Sequence, residues 1–125
     1  MARLLVIEDQ AAVREMVCIV LRSAGHTIVE ASNGDDGLKT LEHEKVDLVL
    51  TDLVMPGTEG IATIREIRNL YPRMKIVAMS GTGAYSLYLD AAAKLGADMV
   101  LEKPFRPDEL REAIARTLAQ PEKAA

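Results

Sequence analysis

Short apolar runs alternate with longer segments of helical periodicity along the whole chain, and no other feature of the sequence limits the fold as much. The runs are rich in Val, Ile and Leu, and they occupy residues 4–7, 27–31, 46–51, 75–79 and 99–101. Runs this short and this apolar are typical of strands that are buried on both faces of a parallel sheet. The alternation therefore predicts a sheet that is covered by helices on both sides.

The segments between these runs carry apolar residues roughly every three to four positions, which is the spacing of one helix face. Such segments occur at residues 13–24, 38–41, 61–70, 84–95 and 110–118. Strand–helix units joined by right-handed crossovers leave few possible topologies. We therefore predict an α/β, flavodoxin-like, doubly wound fold, in which a five-stranded parallel sheet of order 2-1-3-4-5 carries five helices on its two faces.

The size and composition of the chain favour one domain. Its 125 residues suit a single core, and we assign residues 1–120 to the domain and residues 121–125 to a frayed tail. The chain has 19 acidic and 15 basic residues and a net charge of −4, which argues against direct binding of nucleic acid. Its three Tyr, one Phe and no Trp argue against a base-stacking surface.

Two features of the sequence bear on the cellular compartment. Cys18 is the only cysteine, so no intrachain disulfide can form, and a reducing compartment is favoured. The apolar run at residues 4–7 is followed at once by Glu8 and Asp9, which makes it too short for a signal peptide or a membrane span. We expect a cytoplasmic protein without membrane contact.

Polar side chains stand at the ends of four of the predicted strands. Glu8 and Asp9 end the first strand, Asp52 ends the third, Ser80 ends the fourth, and Lys103 lies at the end of the fifth. The carboxyl ends of parallel strands meet at one edge of the sheet, near the switch point between strands 1 and 3. We therefore expect these side chains to converge, although they are far apart in the sequence.

Carboxylates gathered at one point repel one another unless a cation lies between them. Oxygen ligands at an open pocket suit Mg²⁺. In this interpretation Asp9 and Asp52 bind the ion directly, and Glu8 acts through a water molecule. Lys103 adds a fixed positive charge. A carboxylate beside a metal ion indicates phosphoryl transfer with the carboxylate as nucleophile, and the Ser80 hydroxyl is placed to donate to the phosphoryl oxygens.

These residues resemble those of the receiver domain of two-component response regulators, over nearly the whole chain. The resemblance rests on Glu8-Asp9, on Asp52 within residues 51–57, on Ser80-Gly81 and on Lys103-Pro104-Phe105. It implies that Asp52 is the phosphoacceptor and receives the group from a phosphohistidine of a sensor histidine kinase or a histidine phosphotransfer protein. It implies no enzyme activity other than self-phosphorylation and slow self-dephosphorylation.

The resemblance also implies roles for the residues around Asp52. Asp9, Asp52 and the backbone carbonyl of Val54 would together bind Mg²⁺. Lys103 would pair with the phosphoryl group, and Ser80 would be the switch hydroxyl that moves toward it. The peptide bond between Lys103 and Pro104 is a candidate for the cis form.

The sequence departs from the family pattern at four positions, and one of these, Glu8 as the first acid of the pair, is a common variant in the family. Val100 stands where the family usually has Tyr or Phe, three residues before Lys103, so the ring that moves in the switch is missing or replaced. Position 80 is Ser and not Thr, which removes a methyl group but keeps the donor. Arg106 stands where a helix-capping side chain is expected, which leaves the start of the last helix open.

Signal output is expected on the face formed by the fourth predicted helix, the fifth strand and the fifth helix, where phosphorylation shifts a two-state equilibrium. Tyr85 and Tyr88 lie beside apolar residues of the fourth predicted helix. We hypothesise that they contribute to a surface for a downstream protein target or for a dimer. The alternative is that both rings lie flat on the domain. The expected oligomeric state is a monomer or a phosphorylation-dependent dimer.

Two rival functions share parts of this pattern. A haloacid-dehalogenase-type phosphatase needs a second Asp two residues after the nucleophile, but Val54 occupies that position and cannot transfer a proton. A flavodoxin-like FMN binder needs a phosphate loop after strand 1, where Glu8 and Asp9 would repel the phosphate. A receiver of this length is a stand-alone regulator or a phosphorelay shuttle. The alternative is a fragment of a longer regulator with a DNA-binding or enzymatic output domain.

Overall fold

Parallel strands form one sheet in the computed structural model, which describes residues 1–53, 59–81 and 96–121. The strands are β1 (Arg3–Ile7), β2 (Thr27–Ala31), β3 (Leu48–Asp52), β4 (Lys75–Ser80) and β5 (Met99–Glu102). Their order in the sheet is β2-β1-β3-β4-β5, so the chain reverses its direction of travel across the sheet between β1 and β3. The fold class and the strand order predicted from the alternating pattern are confirmed.

Helices cover both faces of this sheet. Within the described residues they are α1 (Ala11–Ser23), α2 (Gly34–His43), α3 (Glu59–Leu70) and α4 (Pro107–Ala119). Helix α4 corresponds to the fifth predicted helix. The fourth predicted helix, at residues 84–95, lies outside the described residues. No helix in the described parts of the chain is both long enough and apolar enough to cross a membrane.

Alternate residues of each central strand belong to opposite sides of the core, as the two-residue period of a strand requires. In β1, Leu5 and Ile7 pack with residues of α2 and α3, whereas Leu4 and Val6 pack with residues of α1 and α4. The sheet separates these two layers of the hydrophobic core. This arrangement leaves the ends of the strands as the place where polar side chains from different strands meet.

The expectation that every strand is buried on both faces is wrong for the two edge strands. Strands β1, β3 and β4 are almost completely buried, but most residues of β2 and β5 are partly or fully exposed. An edge strand has a neighbour on one side only, so its helices cover it less completely. Strand β3 begins at Leu48 and not at residue 46, and just before it the Asp47 carboxylate accepts a hydrogen bond from the Arg3 amide at 2.8 Å.

The last helix begins at Pro107 although Arg106 cannot act as an acceptor at the cap position. The Glu109 carboxylate, one turn into the helix, accepts a hydrogen bond from the Arg106 amide at 2.8 Å. This contact is half of a capping box, and it satisfies a main-chain donor that the Arg106 side chain cannot satisfy. The start of α4, which the sequence left open, is therefore fixed by Glu109 and by the proline at the first helical position.

Candidate functional site

The carboxyl edge of the sheet brings together side chains from the ends of β1, β3 and β5. Glu8 and Asp9 follow β1, and Asp52 is the last residue of β3. One carboxylate oxygen from each of these residues lies within 4.8 Å of the others. The three carboxylates predicted to share a site therefore do so in the structure, with Glu8 and Asp52 buried and Asp9 exposed.

Lys103 bridges the two buried carboxylates. Its Nζ donates to Glu8 Oε1 at 2.7 Å and to Asp52 Oδ2 at 3.1 Å. Burial lowers the pKa of Lys103, but the hydrogen bond to Glu8 and the charge of Asp52 outweigh burial, and the net pKa lies above its usual value. Lys103 therefore stays protonated and supplies a fixed positive charge at the site.

The pKa of Glu8 shows the effect of burying one carboxylate beside another. The pKa of Glu8 is raised from 4.5 to about 7, mainly by burial and also by the nearby charge of Asp52, although Lys103 opposes the shift. One lysine therefore does not offset all of the negative charge of these carboxylates. A divalent cation that binds carboxylate oxygens would complete the compensation, so this donor set fits Mg²⁺.

A consequence of the raised Glu8 pKa is that, without metal, the contribution of Glu8 to the free energy of unfolding falls as the pH rises from about 4.5 to about 7. The folded state favours the protonated carboxyl, so this stabilisation is complete below the unfolded pKa and is lost above the folded pKa. Glu8→Gln removes the titration. We expect the variant to exceed the wild type in free energy of unfolding by on the order of 2 kcal/mol at pH 8 in EDTA, and not at pH 4.

Urea denaturation at pH 4 and pH 8 measures this difference of differences, from which the titration of groups that do not contact Glu8 cancels. Glu15→Gln is the matched control, because Glu15 is exposed on α1. The control is expected to follow the wild type at both pH values. An equal loss of stability in the wild type and in Glu8→Gln between the two pH values would contradict the origin assigned to the effect.

Ser80 ends β4 beside the lysine. Its side chain is completely buried, and its hydroxyl lies 3.4 Å from the carbonyl oxygen of Gly81, which is a long hydrogen bond. The carbonyl of Ser80 accepts from the amide of Lys103 at 2.7 Å, so the ends of β4 and β5 are tied together at the site. The peptide bond between Lys103 and Pro104 is cis, as the resemblance implies.

Val100 lies on β5, where it pairs with Ala78 of β4. Ser80 is two residues beyond Ala78, so Val100 and Ser80 belong to the same face of the sheet. Val100 is partly buried and packs against the core layer of α2 and α3. The other predicted site residues, Val54, Tyr85 and Tyr88, lie outside the described residues.

Sequence reasoning missed Arg14, which contacts the loop that carries the acidic pair. Its guanidinium donates to the carbonyl oxygen of Glu8 at 2.7 Å. It also missed Gly60, near the start of α3, whose Cα lies against the main chain at the end of β3. Neither residue belongs to a recognised catalytic or binding motif. Their positions near the starts of helices were the feature of the sequence that could have drawn attention to them.

Comparison with known proteins agrees with this geometry. The sequence model of the response regulator receiver domain matches residues 4–115. The chain is 34% identical over 117 residues to the chemotaxis protein CheY of Bacillus subtilis, which covers 93% of this chain and 97% of that protein. It is also 34% identical over 119 residues to the transcriptional regulatory protein GlrR of Escherichia coli, which covers 95% of this chain and 27% of that protein.

A solved structure gives the same result. The receiver domain of NtrX from Brucella abortus superposes with a TM-score of 0.88 at 29% identity, covering 94% of this chain and 99% of that one. The family match, the relatives and the fold therefore all extend over most of the chain. The chain belongs to the response regulator receiver domain family.

Proposed function

We propose that this chain is a phosphorylation-activated receiver in which Asp52 accepts the phosphoryl group. The observation that carries the proposal is the position of the Asp52 carboxylate, at the end of β3, 3.1 Å from Lys103 Nζ and within 4.8 Å of carboxylate oxygens of Glu8 and Asp9. A nucleophilic oxygen, a fixed cation and a set of metal ligands are thus gathered in one place. These are the parts that phosphoryl transfer to a carboxylate requires.

Receiver domains bind Mg²⁺ at an acidic pocket. In this chain Asp9 and Asp52 would hold the ion directly, Glu8 would act through a water molecule, and the carbonyl of Val54, outside the described residues, would complete the set. When bound, Mg²⁺ supplies positive charge to the phosphoryl oxygens. The incomplete compensation of Glu8 and Asp52 by Lys103 supports this assignment.

Receiver domains interact with histidine kinases or phosphotransfer proteins. In the proposed step, a carboxylate oxygen of Asp52 forms a bond to phosphorus while the bond from phosphorus to the histidine nitrogen of the donor breaks. Lys103 keeps its proton throughout and faces the negative charge on the phosphoryl oxygens. The Ser80 hydroxyl exchanges its long contact to the Gly81 carbonyl for a hydrogen bond to one of those oxygens.

The switch would pass from Ser80 to the output face formed by residues 84–95, β5 and α4. Val100 occupies the place of the family's ring with a smaller side chain, so the movement of Ser80 would be transmitted by packing of Val100 on the same face of the sheet. Tyr85 and Tyr88, outside the described residues, remain the proposed contacts for a downstream protein target or for a phosphorylation-dependent dimer; a monomer is the expected resting state.

Receiver domains are signalling domains and not catalytic enzymes. The proposal therefore limits chemistry to self-phosphorylation and slow self-dephosphorylation within a domain of residues 1–120, followed by a tail at 121–125. The free, buried thiol of Cys18 supports a cytoplasmic location, because a reducing compartment preserves it. A second candidate is a receiver within a longer regulator, which the match to 27% of the length of GlrR favours.

The proposal is tested by incubating the protein with a small acyl phosphate, with Mg²⁺ or with EDTA, and by measuring the intact mass. We expect the protein to gain one phosphoryl group with Mg²⁺ and none with EDTA. Hydroxylamine is expected to remove the group, because it cleaves acyl phosphates and leaves phosphate esters intact. A chain that gains no phosphoryl group either from the acyl phosphate or from a phosphorylated histidine kinase would contradict the proposal.

A further inference from the structure

The side chain of Arg14, in the first turn of α1, binds the main chain just before Asp9. Its guanidinium nitrogen Nη1 donates to the carbonyl oxygen of Glu8 at 2.7 Å. Its backbone amide donates to the carbonyl oxygen of Gln10 at 2.9 Å. This amide hydrogen bond is the first i to i−4 bond of the helix and is made by any residue at this position, so only the guanidinium contact to the Glu8 carbonyl depends on arginine.

The carboxylate of Asp9 differs from that of Glu8 in its contacts. Asp9 is exposed, and in the described ranges of the chain no donor forms a hydrogen bond with its carboxylate. Glu8 is different, since its side chain contacts Lys103 and its amide donates to the carbonyl of Ala31 at 3.1 Å. The main chain around Asp9 is held by two contacts to Glu8, from the Arg14 guanidinium to its carbonyl and from the Gln10 amide to its carboxylate at 3.2 Å.

Arg14 is in turn braced by the neighbouring strand. Its Nε lies 3.4 Å from Glu30 Oε1, on β2, and its side chain is 21% exposed. The same carboxylate contacts Arg22 at 3.3 Å through its other oxygen, but the Arg22 side chain is 51% exposed and, within the described residues, makes no hydrogen bond or ion pair with the loop of Glu8 and Asp9. Two arginines therefore share Glu30, and only Arg14 connects it to the acidic loop.

We propose that Arg14 is a positioning residue for metal binding: it fixes the loop so that the Asp9 carboxylate is held beside Asp52 before the ion arrives. The inference rests on the proposed function, since it concerns the same Mg²⁺ site. Contacts that orient metal ligands typically change metal affinity by about 10- to 100-fold when they are removed. Here the contact is made to the main chain of the ligand-bearing loop.

The sign of the effect separates positioning from simple electrostatics. Arg14 is a cation close to a cation site, so its charge alone disfavours Mg²⁺, and its removal would tighten binding. Loss of positioning has the opposite effect and weakens binding. Arg14→Lys keeps the charge, but its single nitrogen cannot bind the Glu8 carbonyl and the Glu30 carboxylate with the geometry of a guanidinium.

Isothermal titration with Mg²⁺ tests the proposal in the wild type, Arg14→Gln, Arg14→Lys and Arg22→Gln. We expect the Kd to rise about tenfold in Arg14→Gln and by a smaller factor in Arg14→Lys. Arg22→Gln is the matched control, and its Kd is expected to stay within about twofold of the wild type, since exposed ion pairs contribute little. If Arg14→Gln does not fold, Arg14→Lys gives the same test.

Phosphorylation by an acyl phosphate provides a second readout. Saturating Mg²⁺ is expected to restore the rate of Arg14→Gln, because only the affinity for the ion is impaired; a rate that stays low would indicate a general structural role. An unchanged or lower Kd in both Arg14 variants would overturn the proposal while leaving the proposed function intact. A wild type that binds no Mg²⁺ would overturn the proposed function and the role of Arg14 together.

Discussion

Asp52→Asn is expected to abolish the gain of a phosphoryl group from an acyl phosphate with Mg²⁺ and from a phosphorylated histidine kinase. A neutral amide does not attack phosphorus as a carboxylate does, and it is a poorer ligand for a hard cation. The substitution keeps the volume of the side chain. It also keeps an oxygen that can accept a hydrogen bond from Lys103 Nζ, which lies 3.1 Å from Asp52 Oδ2 in the wild type. The loss is therefore one of chemistry, and intact mass measures it.

The same variant is expected to remain folded. It removes one of the negative charges that raise the pKa of Glu8, so the buried cluster becomes easier to compensate with a single lysine. Asp35→Asn is the matched control, because Asp35 is exposed in the first turn of α2. The control is expected to gain the phosphoryl group as the wild type does. If Asp52→Asn gained the same mass, the acceptor would lie elsewhere.

Gly60→Ala is expected to lower the free energy of unfolding by about 2 kcal/mol or more and to slow phosphorylation by up to about 100-fold. A Cβ at position 60 would lie 2.5 Å from the carbonyl oxygens of Asp52 and Leu53. Alanine gains about 1 kcal/mol over glycine in a helix interior, and less near its start, but main-chain oxygens cannot rotate away from the new methyl group. The clash can be relieved only if α3 moves or if the main chain that carries Asp52 moves.

Two glycines provide graded controls for this prediction. A Cβ at Gly37, in α2, would lie 2.4 Å from Ile7 Cδ1 and 2.9 Å from Ile7 Cγ1, which are side-chain atoms and can shift further than main-chain oxygens can. A Cβ at Gly81 would have nothing within 4 Å. Thermal unfolding is expected to rank Gly60→Ala below Gly37→Ala, with Gly81→Ala nearest to the wild type. Equal melting temperatures for the three variants would show that α3 does not pack against the end of β3 as closely as described.

The fold and the convergence of the carboxylates were predictable because both depend on periodic patterns. Apolar runs and helical spacing determine a parallel sheet, and a parallel sheet places the residues after its strands at one edge. Asp52 and Lys103 could be assigned to the same site on that basis alone. The incomplete burial of β2 and β5 was not predicted, because a run of apolar residues does not reveal whether its strand lies at an edge.

The contacts that support the site were not predictable from the sequence. The Arg14 guanidinium binds the main-chain carbonyl of Glu8. Every residue has such a carbonyl, so the sequence does not show which one an arginine side chain binds. The cap of α4 was missed for a related reason, since Glu109 supplies from inside the helix what Arg106 does not supply before it. In both cases the acceptor or donor is the backbone, which every residue shares.

The ion pair between Lys103 and Glu8 joins residues that are 95 positions apart. A ribosome synthesising this chain completes β1 and exposes Glu8 and Asp9 long before the codon for Lys103 is read. Until then the acidic residues lack their internal cation, and β5, on which Lys103 depends, has not been made. The acidic cluster therefore gains its internal cation only after β5 has been synthesised, and a chain that stops before β5 would lack that cation.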